Sequence, residues 1–384
     1  MKIDKRNYKH WLYLLRSGLI ILLLLPLRLV KKPEIVLLYG HKLNGNLSAL
    51  YDYILANKPE LEVYCLTLDP AYYSQLKSDG IRALHMGSLT DMAIVARGSL
   101  MVTDHGLHTL RLYLLLTSMK FVDVWHGIPY KGFDADTFKH LHKHDQVWVS
   151  SEHMRDIYEQ QYGFSKEQLK VTGYGRVDRL FLGDYKKDEI LSRFELKNRR
   201  TVLVAPTWAQ DQKGRSITPF DASIKDFFDV LEAAGRKLDS TIIFRAHLNS
   251  GDDINTDDYE YVRVMPYAKY PLAEEFLYIA DVLVTDWSSI AFDYLALRRP
   301  TIFLDVPAPF AKGFTLGPEH RFGEVVGSLE ELKASIEWCV DNPDEFNSKY
   351  SKNMEETIKV AYGDTLDGRA TERYLKNLEE LLAD

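Results

Sequence analysis

The chain has 384 residues, of which 46% are hydrophobic and 27% charged, and a formal net charge of −7. This length exceeds what one hydrophobic core usually supports, so we expect two domains. The acidic balance argues against general nucleic-acid binding, which depends on a basic surface. Two cysteines, Cys65 and Cys339, are too few for a disulfide framework or a metal cluster, and we expect buried thiols in a reducing compartment.

Residues 1–32 are predicted to associate with a membrane. They hold eight basic residues and one acidic residue, whereas the remainder of the chain carries 40 basic and 54 acidic residues. Arg16 interrupts the apolar stretch 11–30, and the uncharged run 17–27 is shorter than the ~20 residues that span a bilayer. A helix lying in the lipid interface fits this pattern. A single span, a signal peptide and a buried helix are the alternatives.

From Glu34 onward, short apolar runs alternate with helix-like stretches, which is typical of βαβ units around a parallel sheet. In the first half we predict strands at 35–40, 61–68, 100–105, 121–127, 146–151 and 169–175, and helices at 46–57, 88–97 and 152–162. The charged stretch 184–200 interrupts the alternation. It is the predicted boundary between an N-terminal domain, 33–190, and a C-terminal domain, 191–384.

The alternation resumes after this boundary. We predict strands at 201–208, 241–247, 261–266, 282–287 and 301–306, helices at 221–235, 271–280 and 288–298, and three closing amphipathic helices near 328–342, 345–361 and 366–383. The expected fold class is α/β, with two doubly wound Rossmann-like domains that face a central cleft. Ligands of such sheets bind outside the carboxyl ends of the strands, so polar residues at strand ends are the candidates for function.

The first such group is the stretch VDVWHGIPYKGF, in which a strand ends on Trp125 and His126 and the chain then turns at Gly127. A histidine at this position is suited to general base catalysis because its ordinary pKa is near neutrality. The alternative is a surface or hydrogen-bonded histidine without a chemical role.

The second group is IIFRAHLN, in which Arg245 and His247 are two residues apart at a strand end and therefore point to the same face. A guanidinium binds phosphate with two hydrogen bonds, and an imidazole donates to developing charge. The alternative is a salt bridge with the acidic body of the protein.

The third group is VLVTDWSSIAFDY. The strand ends at Thr285 and Asp286, and Ser288 and Ser289 open a helix whose free amides form a candidate anion site. Asp293 lies one turn further on the same face and is a candidate for binding a ribose or glycerol hydroxyl. Helix capping by Ser288 is the alternative for one of the serines.

Two weaker signals remain. Thr207 and Asp211 follow a strand in APTWAQD and are expected at the same crevice. Asp123, Asp134 and Asp136 are candidates for holding Mg²⁺, but their spacing is not diagnostic. We assign no metal-ligating residues and expect no tightly bound cofactor, and the sequence leaves a need for Mg²⁺ open.

Together these segments resemble the CDP-glycerol glycerophosphotransferase family, the primases and polymerases of wall teichoic acid synthesis. The similar motifs occur in the family's order across about residues 100–376: WHGIP (125–129), APTW (205–208), RAH (245–247), TDWSSIAFDY (285–294) and DGRATERYL (367–375). One departure is Gly-Tyr-Gly-Arg at 173–176, where many members have proline before the arginine. This departure leaves the role of Arg176 open.

The resemblance implies a GT-B-like pair of domains and transfer of an alcohol phosphate from CDP-glycerol, or another CDP-alcohol, with release of CMP. It implies that His126 is the general base and His247 the second catalytic histidine. The expected substrate-binding residues are Trp125, Gly127, Thr207, Arg245, Thr285, Asp286, Ser288, Ser289 and Asp293. The implied acceptor is a polyprenyl-linked glycan at the cytoplasmic face of the membrane.

Two other functions are compatible with the same sequence. A glycosyltransferase with the same two-domain architecture would use a nucleotide sugar in the same cleft. A non-enzymatic scaffold in polymer export would not need the strand-end histidines. The sequence does not distinguish a primase from a polymerase, or glycerol from ribitol in the donor.

Overall fold

A computed structural model of the protein describes residues 8–24, 26, 34–107, 118–197, 200–207, 218–245, 258–267 and 269–383. The chain folds into two compact units, each with its own parallel sheet. Unit 1 comprises Met1–His126, Asp134–Asp178 and Asp367–Asp384, and unit 2 comprises Gly127–Phe133 and Arg179–Leu366.

Unit 1 contains a seven-stranded sheet of order β3-β2-β1-β4-β5-β6-β7, in which every described pairing is parallel. Its strands are β1 (Ile35–Tyr39), β2 (Glu62–Thr67), β3 (Ala83–His85), β4 (Leu100–Thr103), β5 (Lys120–Asp123), β6 (Gln146–Val149) and β7 (Leu169–Val171). The central strand β1 is buried at every position, because helices cover both faces of the sheet. The six predicted strands are confirmed, whereas β3, a three-residue edge strand, was not predicted.

The helices of unit 1 start and stop at clear local signals. They are α1 (Tyr8–Leu24), α2 (Gly45–Asn57), α3 (Pro70–Ser78), α4 (Leu89–Ala96), α5 (Ala135–Phe138), α6 (Glu152–Tyr162) and α7 (Gly175–Leu182), the last of which continues into unit 2. The side chain of Ser151 caps α6 by accepting a hydrogen bond from Met154 N, and Gly163 ends this helix in the left-handed conformation.

Helix α1 packs against unit 1 with one side and exposes other residues to solvent. Tyr13, Leu14 and Ile20 pack against the core of unit 1. An apolar face remains exposed and includes Tyr8, Trp11, Leu12, Leu15, Leu19, Leu22 and Leu23. In the described part of the chain, no helix has both the length and the hydropathy that crossing a bilayer requires.

The last helix of the chain, α14 (Ala370–Ala383), belongs to unit 1. Tyr374 stacks on Trp148 with ring centroids 4.6 Å apart. The buried carboxylate of Asp178 accepts hydrogen bonds from Ala370 N at 3.0 Å, Thr371 N at 2.8 Å and Thr371 Oγ1 at 2.8 Å. Asp178 therefore satisfies the free amides at the start of α14 from a distant part of the chain.

Unit 2 contains a six-stranded parallel sheet of order β10-β9-β8-β11-β12-β13. Its strands are β8 (Arg200–Val204), β9 (Ser240–Phe244), β10 (Val262–Val264), β11 (Val282–Thr285), β12 (Thr301–Leu304) and β13 (Glu324–Val326). Its other helices are α8 (Lys187–Arg193), α9 (Ile224–Leu238), α10 (Ala273–Ile279), α11 (Ile290–Leu295), α12 (Leu329–Asp341) and α13 (Pro343–Ala361). The five predicted strands are confirmed, and the short edge strand β13 was not predicted.

The observed units and the predicted domains differ in detail. The prediction divided the chain once, near residue 190, because it followed chain order. The structure assigns Gly127–Phe133 to unit 2 and Asp367–Asp384 to unit 1. Contacts made far along the chain decide these assignments: Gly132 N donates to Gly313 O at 2.8 Å, and Gly175 N donates to Tyr374 Oη at 2.9 Å.

We predict that Asp178→Ala lowers the free energy of unfolding by roughly 2–4 kcal/mol, because it leaves two buried amides at the start of α14 without an acceptor. Urea titration measures this change. Asp184→Ala removes an exposed carboxylate nearby in sequence and should change the free energy by less than about 0.5 kcal/mol. Equal effects of the two substitutions would contradict the role assigned to Asp178.

Candidate active site

His126 follows the carboxyl end of β5 in a backbone turn with unusual torsion angles. Trp125 has φ of 53°, in the left-handed region, and Gly127 has φ of 145°. The left-handed conformation costs a residue with a side chain about 1–2 kcal/mol, so other contacts must hold Trp125 in place. Residues in such conformations are concentrated at functional sites.

Asp123 anchors the entry to this turn. Its buried carboxylate accepts hydrogen bonds from Trp125 N at 2.9 Å, from Gly106 N at 2.9 Å and from Thr103 Oγ1 at 2.5 Å. Burial raises the pKa of Asp123 to about 7, and these three donors oppose that rise. Asp123 thus ties the end of β5 to the end of β4.

Two further residues bind the carbonyl groups of the turn. Asn46 Nδ2 donates to Trp125 O at 3.1 Å, and Arg176 Nη1 donates to His126 O at 2.7 Å. Arg176 N also donates to Asn46 Oδ1 at 3.1 Å, which links the two residues. The structure therefore places Arg176, whose role the sequence left open, directly on the turn.

The ring of His126 is oriented by its neighbours. Its Nδ1 lies 3.1 Å from Asp104 O, and a carbonyl oxygen only accepts, so Nδ1 carries the hydrogen and Nε2 carries the lone pair. The ring stacks on His105 with centroids 4.1 Å apart and planes 3° apart. His105 Nδ1 in turn lies 2.7 Å from Asp104 Oδ1, and the ring of His41 meets that of His105 edge-on at 4.7 Å.

Desolvation by the surrounding protein lowers the pKa of His126 to about 3, and neighbouring His105 adds to this effect. The carboxylate of Asp104 acts in the opposite direction, and burial raises its own pKa to about 6. His126 is nevertheless exposed to solvent, so water restores part of its hydration. At neutral pH the imidazole is therefore uncharged, with Nε2 available as a proton acceptor.

Close packing explains why a glycine, Gly40, directly follows β1. A Cβ atom on Gly40 would lie 2.5 Å from Asp104 Oδ1, so any larger residue would displace this carboxylate. Asp104, His105 and Asn46 belong to this site but were not among the residues predicted for it. Asp104 and His105 do have a signal, since Thr-Asp-His ends the predicted strand 100–105 just as Thr-Asp-Trp ends the predicted strand 282–287.

In unit 2, a carboxylate likewise links the segments that follow two neighbouring strands. Asp286 Oδ1 accepts hydrogen bonds from Thr207 N at 2.6 Å, Thr207 Oγ1 at 2.5 Å and Trp287 N at 2.6 Å. Thr285 Oγ1 donates to Ala205 O at 2.7 Å. These bonds account for the placement of Thr207, Thr285 and Asp286 without a ligand, and their contact with substrate stays a prediction.

Ser288 and Ser289 lie partly exposed directly before α11. Helix α11 covers only Ile290–Leu295, which is shorter than the predicted 288–298, so its dipole contributes little to anion binding. Ser289 is the N-cap residue but its side chain makes no capping bond. Asp293 is buried, and Tyr362 Oη lies 3.5 Å from its Oδ1. The helix-dipole part of the predicted anion site is therefore weakened, and contact of Ser288, Ser289 and Asp293 with substrate stays a prediction.

Arg245 is a buried cation of unit 2. It follows β9, is only 7% exposed, and its guanidinium lies 4.6 Å from the ring of Phe276 and 5.6 Å from that of Tyr267. Within the described part of the chain, both Nη atoms are buried and have no hydrogen-bond partner. Burial lowers the pKa of Arg245 to about 10, so it is cationic at neutral pH and remains able to bind an anion.

His247 and Asp211 lie outside the described residues. The described residues contain no group of three or more histidine, cysteine or acidic side chains that could hold a metal ion. Of the candidates for Mg²⁺, Asp123 is engaged by three donors and Asp136 pairs with Lys139 at 2.7 Å.

We predict that His126 stays neutral from pH 8 to pH 5, because its folded pKa is lowered. The unfolded chain should bind this proton near pH 6.5. Nuclear magnetic resonance of isotope-labelled histidine, with the signal assigned by its loss in His126→Gln, measures the titration. A midpoint for His126 between pH 6 and pH 7 in the folded protein would contradict the environment described.

The chain is similar to known proteins along most of its length. Residues 20–380 match the family described as CDP-glycerol:poly(glycerophosphate) glycerophosphotransferase. The teichoic acid poly(glycerol phosphate) polymerase of Bacillus subtilis (strain 168) is 24% identical over 336 residues, which are 79% of this chain and 43% of that protein. The teichoic acid glycerol-phosphate transferase of Staphylococcus aureus (strain NCTC 8325 / PS 47) is 25% identical over 288 residues, which are 67% of this chain and 70% of that protein.

Solved structures show the fold. The structure of the wall teichoic acid polymerase TagF superimposes with a TM-score of 0.73 at 17% identity and covers 98% of each chain. A UDP-GlcNAc 2-epimerase from Neisseria meningitidis superimposes with a TM-score of 0.57 at 12% identity, covering 90% of this chain and 99% of that one. These likenesses confirm the predicted α/β class with two parallel-sheet domains of GT-B type.

The length of the match differs among relatives. The chain spans less than half of the length of the first two polymerases it matches, 43% of the Bacillus subtilis protein and 48% of the ribitol-phosphate polymerase TarL of Staphylococcus aureus (strain NCTC 8325 / PS 47). The family match, in contrast, extends over nearly the whole of this chain. The chain therefore belongs to the CDP-glycerol:poly(glycerophosphate) glycerophosphotransferase family.

Proposed function

We propose that the protein transfers glycerol phosphate, or a related alcohol phosphate, from a CDP-alcohol to a hydroxyl of a cell-surface polymer precursor and releases CMP. The observation that carries this proposal is the environment of His126, in a chain that matches the family from residue 20 to 380. The Nδ1–H of His126 donates to Asp104 O, which leaves Nε2 as an uncharged acceptor. A general base needs this combination of fixed orientation and a free lone pair.

The proposed reaction is a single in-line displacement. The acceptor hydroxyl attacks the phosphorus that bears glycerol, a new phosphorus–oxygen bond forms, and the bond between this phosphorus and the oxygen of CMP breaks. His126 Nε2 receives the proton of the hydroxyl, whose acidity rises as the new bond forms. The lowered pKa makes His126 a weak base that is unprotonated throughout the physiological range, so alignment of the two reactants supplies most of the rate.

We propose that Arg245 binds the phosphate charge of the donor. A buried guanidinium whose Nη atoms lack partners within the described residues has four N–H donors to offer, and binding an anion would satisfy them. The rings of Phe276 and Tyr267 hold the guanidinium in place and exclude water. His247, Ser288, Ser289 and Asp293 complete the proposed donor site on the family resemblance.

The location is proposed as the cytoplasmic face of the cell membrane, with a polyprenyl-diphosphate-linked glycan as acceptor. The exposed apolar face of α1 supports this proposal, because α1 lies within residues 1–32, whose eight basic residues anionic lipid would attract. The opposite side of α1 packs on unit 1 through Tyr13, Leu14 and Ile20. A helix held in this way would lie along the lipid surface.

We predict that the protein releases CMP from CDP-glycerol in the presence of a lipid-linked acceptor, and that His126→Ala lowers kcat about 1000-fold or more because proton transfer loses its base. Chromatography of the nucleotide product, with the mass of the lipid product, measures both. His153→Ala, which removes an exposed histidine of α6, should keep kcat within about twofold. Release of UDP from UDP-sugars in place of CMP would establish the glycosyltransferase alternative.

We predict that Leu19→Glu weakens binding to anionic vesicles about tenfold or more, because a charge replaces an apolar side chain at the lipid surface. Co-sedimentation with vesicles measures this. Leu182→Glu is a matched control, since Leu19 is 62% exposed and Leu182 is 61% exposed. An equal loss in both variants, or no loss in Leu19→Glu, would contradict the proposed membrane face.

A further inference from the structure

We propose that Asn46 and Arg176 are positioning residues that hold the backbone on both sides of His126, and so aim its ring at the acceptor hydroxyl. This inference rests on the proposed role of His126 as the general base. It assigns a role to Arg176, and it adds Asn46, a residue from a different part of the chain, to the machinery of the reaction.

The conformation of the turn around His126 depends on contacts with neighbouring residues. Trp125 lies in the left-handed region with φ of 53°, and Gly127 has φ of 145°. Glycine adopts a positive φ readily, but a residue with a side chain such as Trp125 rarely does, so this part of the turn would relax unless its neighbours held it. Asp123 holds only the start of the turn, by accepting a hydrogen bond from Trp125 N. The two carbonyl groups that follow need their own partners.

Asn46 and Arg176 supply those partners from two separate helices. Asn46 is in the first turn of α2 and is only 2% exposed, and Arg176 is in the first turn of α7. Trp125 O accepts from Asn46 Nδ2 at 3.1 Å, and His126 O accepts from Arg176 Nη1 at 2.7 Å. Arg176 N donates to Asn46 Oδ1 at 3.1 Å, so the two residues also fix each other.

The chemistry of the two side chains suits this task. The amide of Asn46 offers a donor to Trp125 O and an acceptor to Arg176 N at the same time, which no hydrophobic or singly charged side chain of its size does. Aspartate would place a second acceptor against Trp125 O. Lysine at position 176 would keep one cationic donor for His126 O, but without the rigid planar group of arginine.

The orientation of the ring depends on these bonds. The bond from His126 Nδ1 to Asp104 O is 3.1 Å long, and the stacking distance to His105 is 4.1 Å. A rotation of the peptide on either side of His126 would lengthen both contacts and swing Nε2 away from its target. An error of about 1 Å in such a group costs about 100-fold in rate.

The test compares Arg176→Met, Arg176→Lys and Asn46→Ala with the parent enzyme. We expect Arg176→Met and Asn46→Ala to lower kcat by about 10- to 100-fold while KM for CDP-glycerol stays within about threefold, and Arg176→Lys to recover part of the loss. Arg179→Met is the matched control on the same helix, since the Arg179 guanidinium donates to Asp184 O, pairs with the Asp184 carboxylate and lies over the ring of Tyr185. Its kcat should equal that of the parent.

A second readout does not require turnover. The histidine resonances of the parent should show one Nδ1–H tautomer for His126, and both Arg176→Met and Asn46→Ala should show a mixture of tautomers because the bond to Asp104 O is no longer held. Arg179→Met should show the parent pattern. If Asn46→Ala does not fold, Arg176→Met alone tests the positioning role. Arg176→Met should fold, because the hydrogen bond that it removes lies at the surface.

The outcomes separate this inference from the proposed function. Full activity in His126→Ala would overturn the function assigned to His126. Loss of activity in His126→Ala, with parental kcat and a single tautomer in Arg176→Met and Asn46→Ala, would overturn the positioning role alone. A fall in stability of Arg176→Met with unchanged kcat and tautomer would show a structural bond only, and would equally overturn it.

Discussion

A buried carboxylate at the end of a parallel strand is the interaction on which the rest of the site depends. In unit 1, Asp123 accepts from two backbone amides and a threonine hydroxyl, and in unit 2, Asp286 Oδ1 does the same. Parallel strands end with free backbone amides, and the chain must satisfy them before it turns away. An acceptor-only group with several lone pairs meets this need, at the cost of desolvating its charge. Each carboxylate thereby fixes where the next residues leave the sheet.

This constraint places the candidate catalytic group. Because Asp123 holds Trp125 N, the following residue leaves the end of β5 in a turn that directs the imidazole of His126 over His105. Asp104 then contributes twice, through its carbonyl oxygen to His126 and through its carboxylate to His105. The electrostatics follow from the same packing. Burial disfavours both an imidazolium at His126 and a carboxylate at Asp104, and the two groups partly offset each other.

Unit 2 presents a different solution for binding charge. Its candidate anion group is a single buried guanidinium, Arg245, whose faces contact aromatic rings and whose terminal nitrogens lack partners in the described residues. Short helix α11 adds few aligned dipoles, so the donor site we propose relies on side chains more than on a helix terminus. The family to which the chain belongs supports the proposed reaction.

Hydrophobic periodicity in the sequence determined the class of fold and the order of its main strands, because central parallel strands must be apolar on both faces. It also placed His126 and Arg245 at strand ends, where they are found. The tertiary structure alone decided that residues 367–384 belong with the first unit, since Asp178 and Trp148 meet α14 only in space. It also decided the partners of His126. Asn46 and Arg176 are 130 residues apart along the chain, and no local pattern records a hydrogen bond of that range.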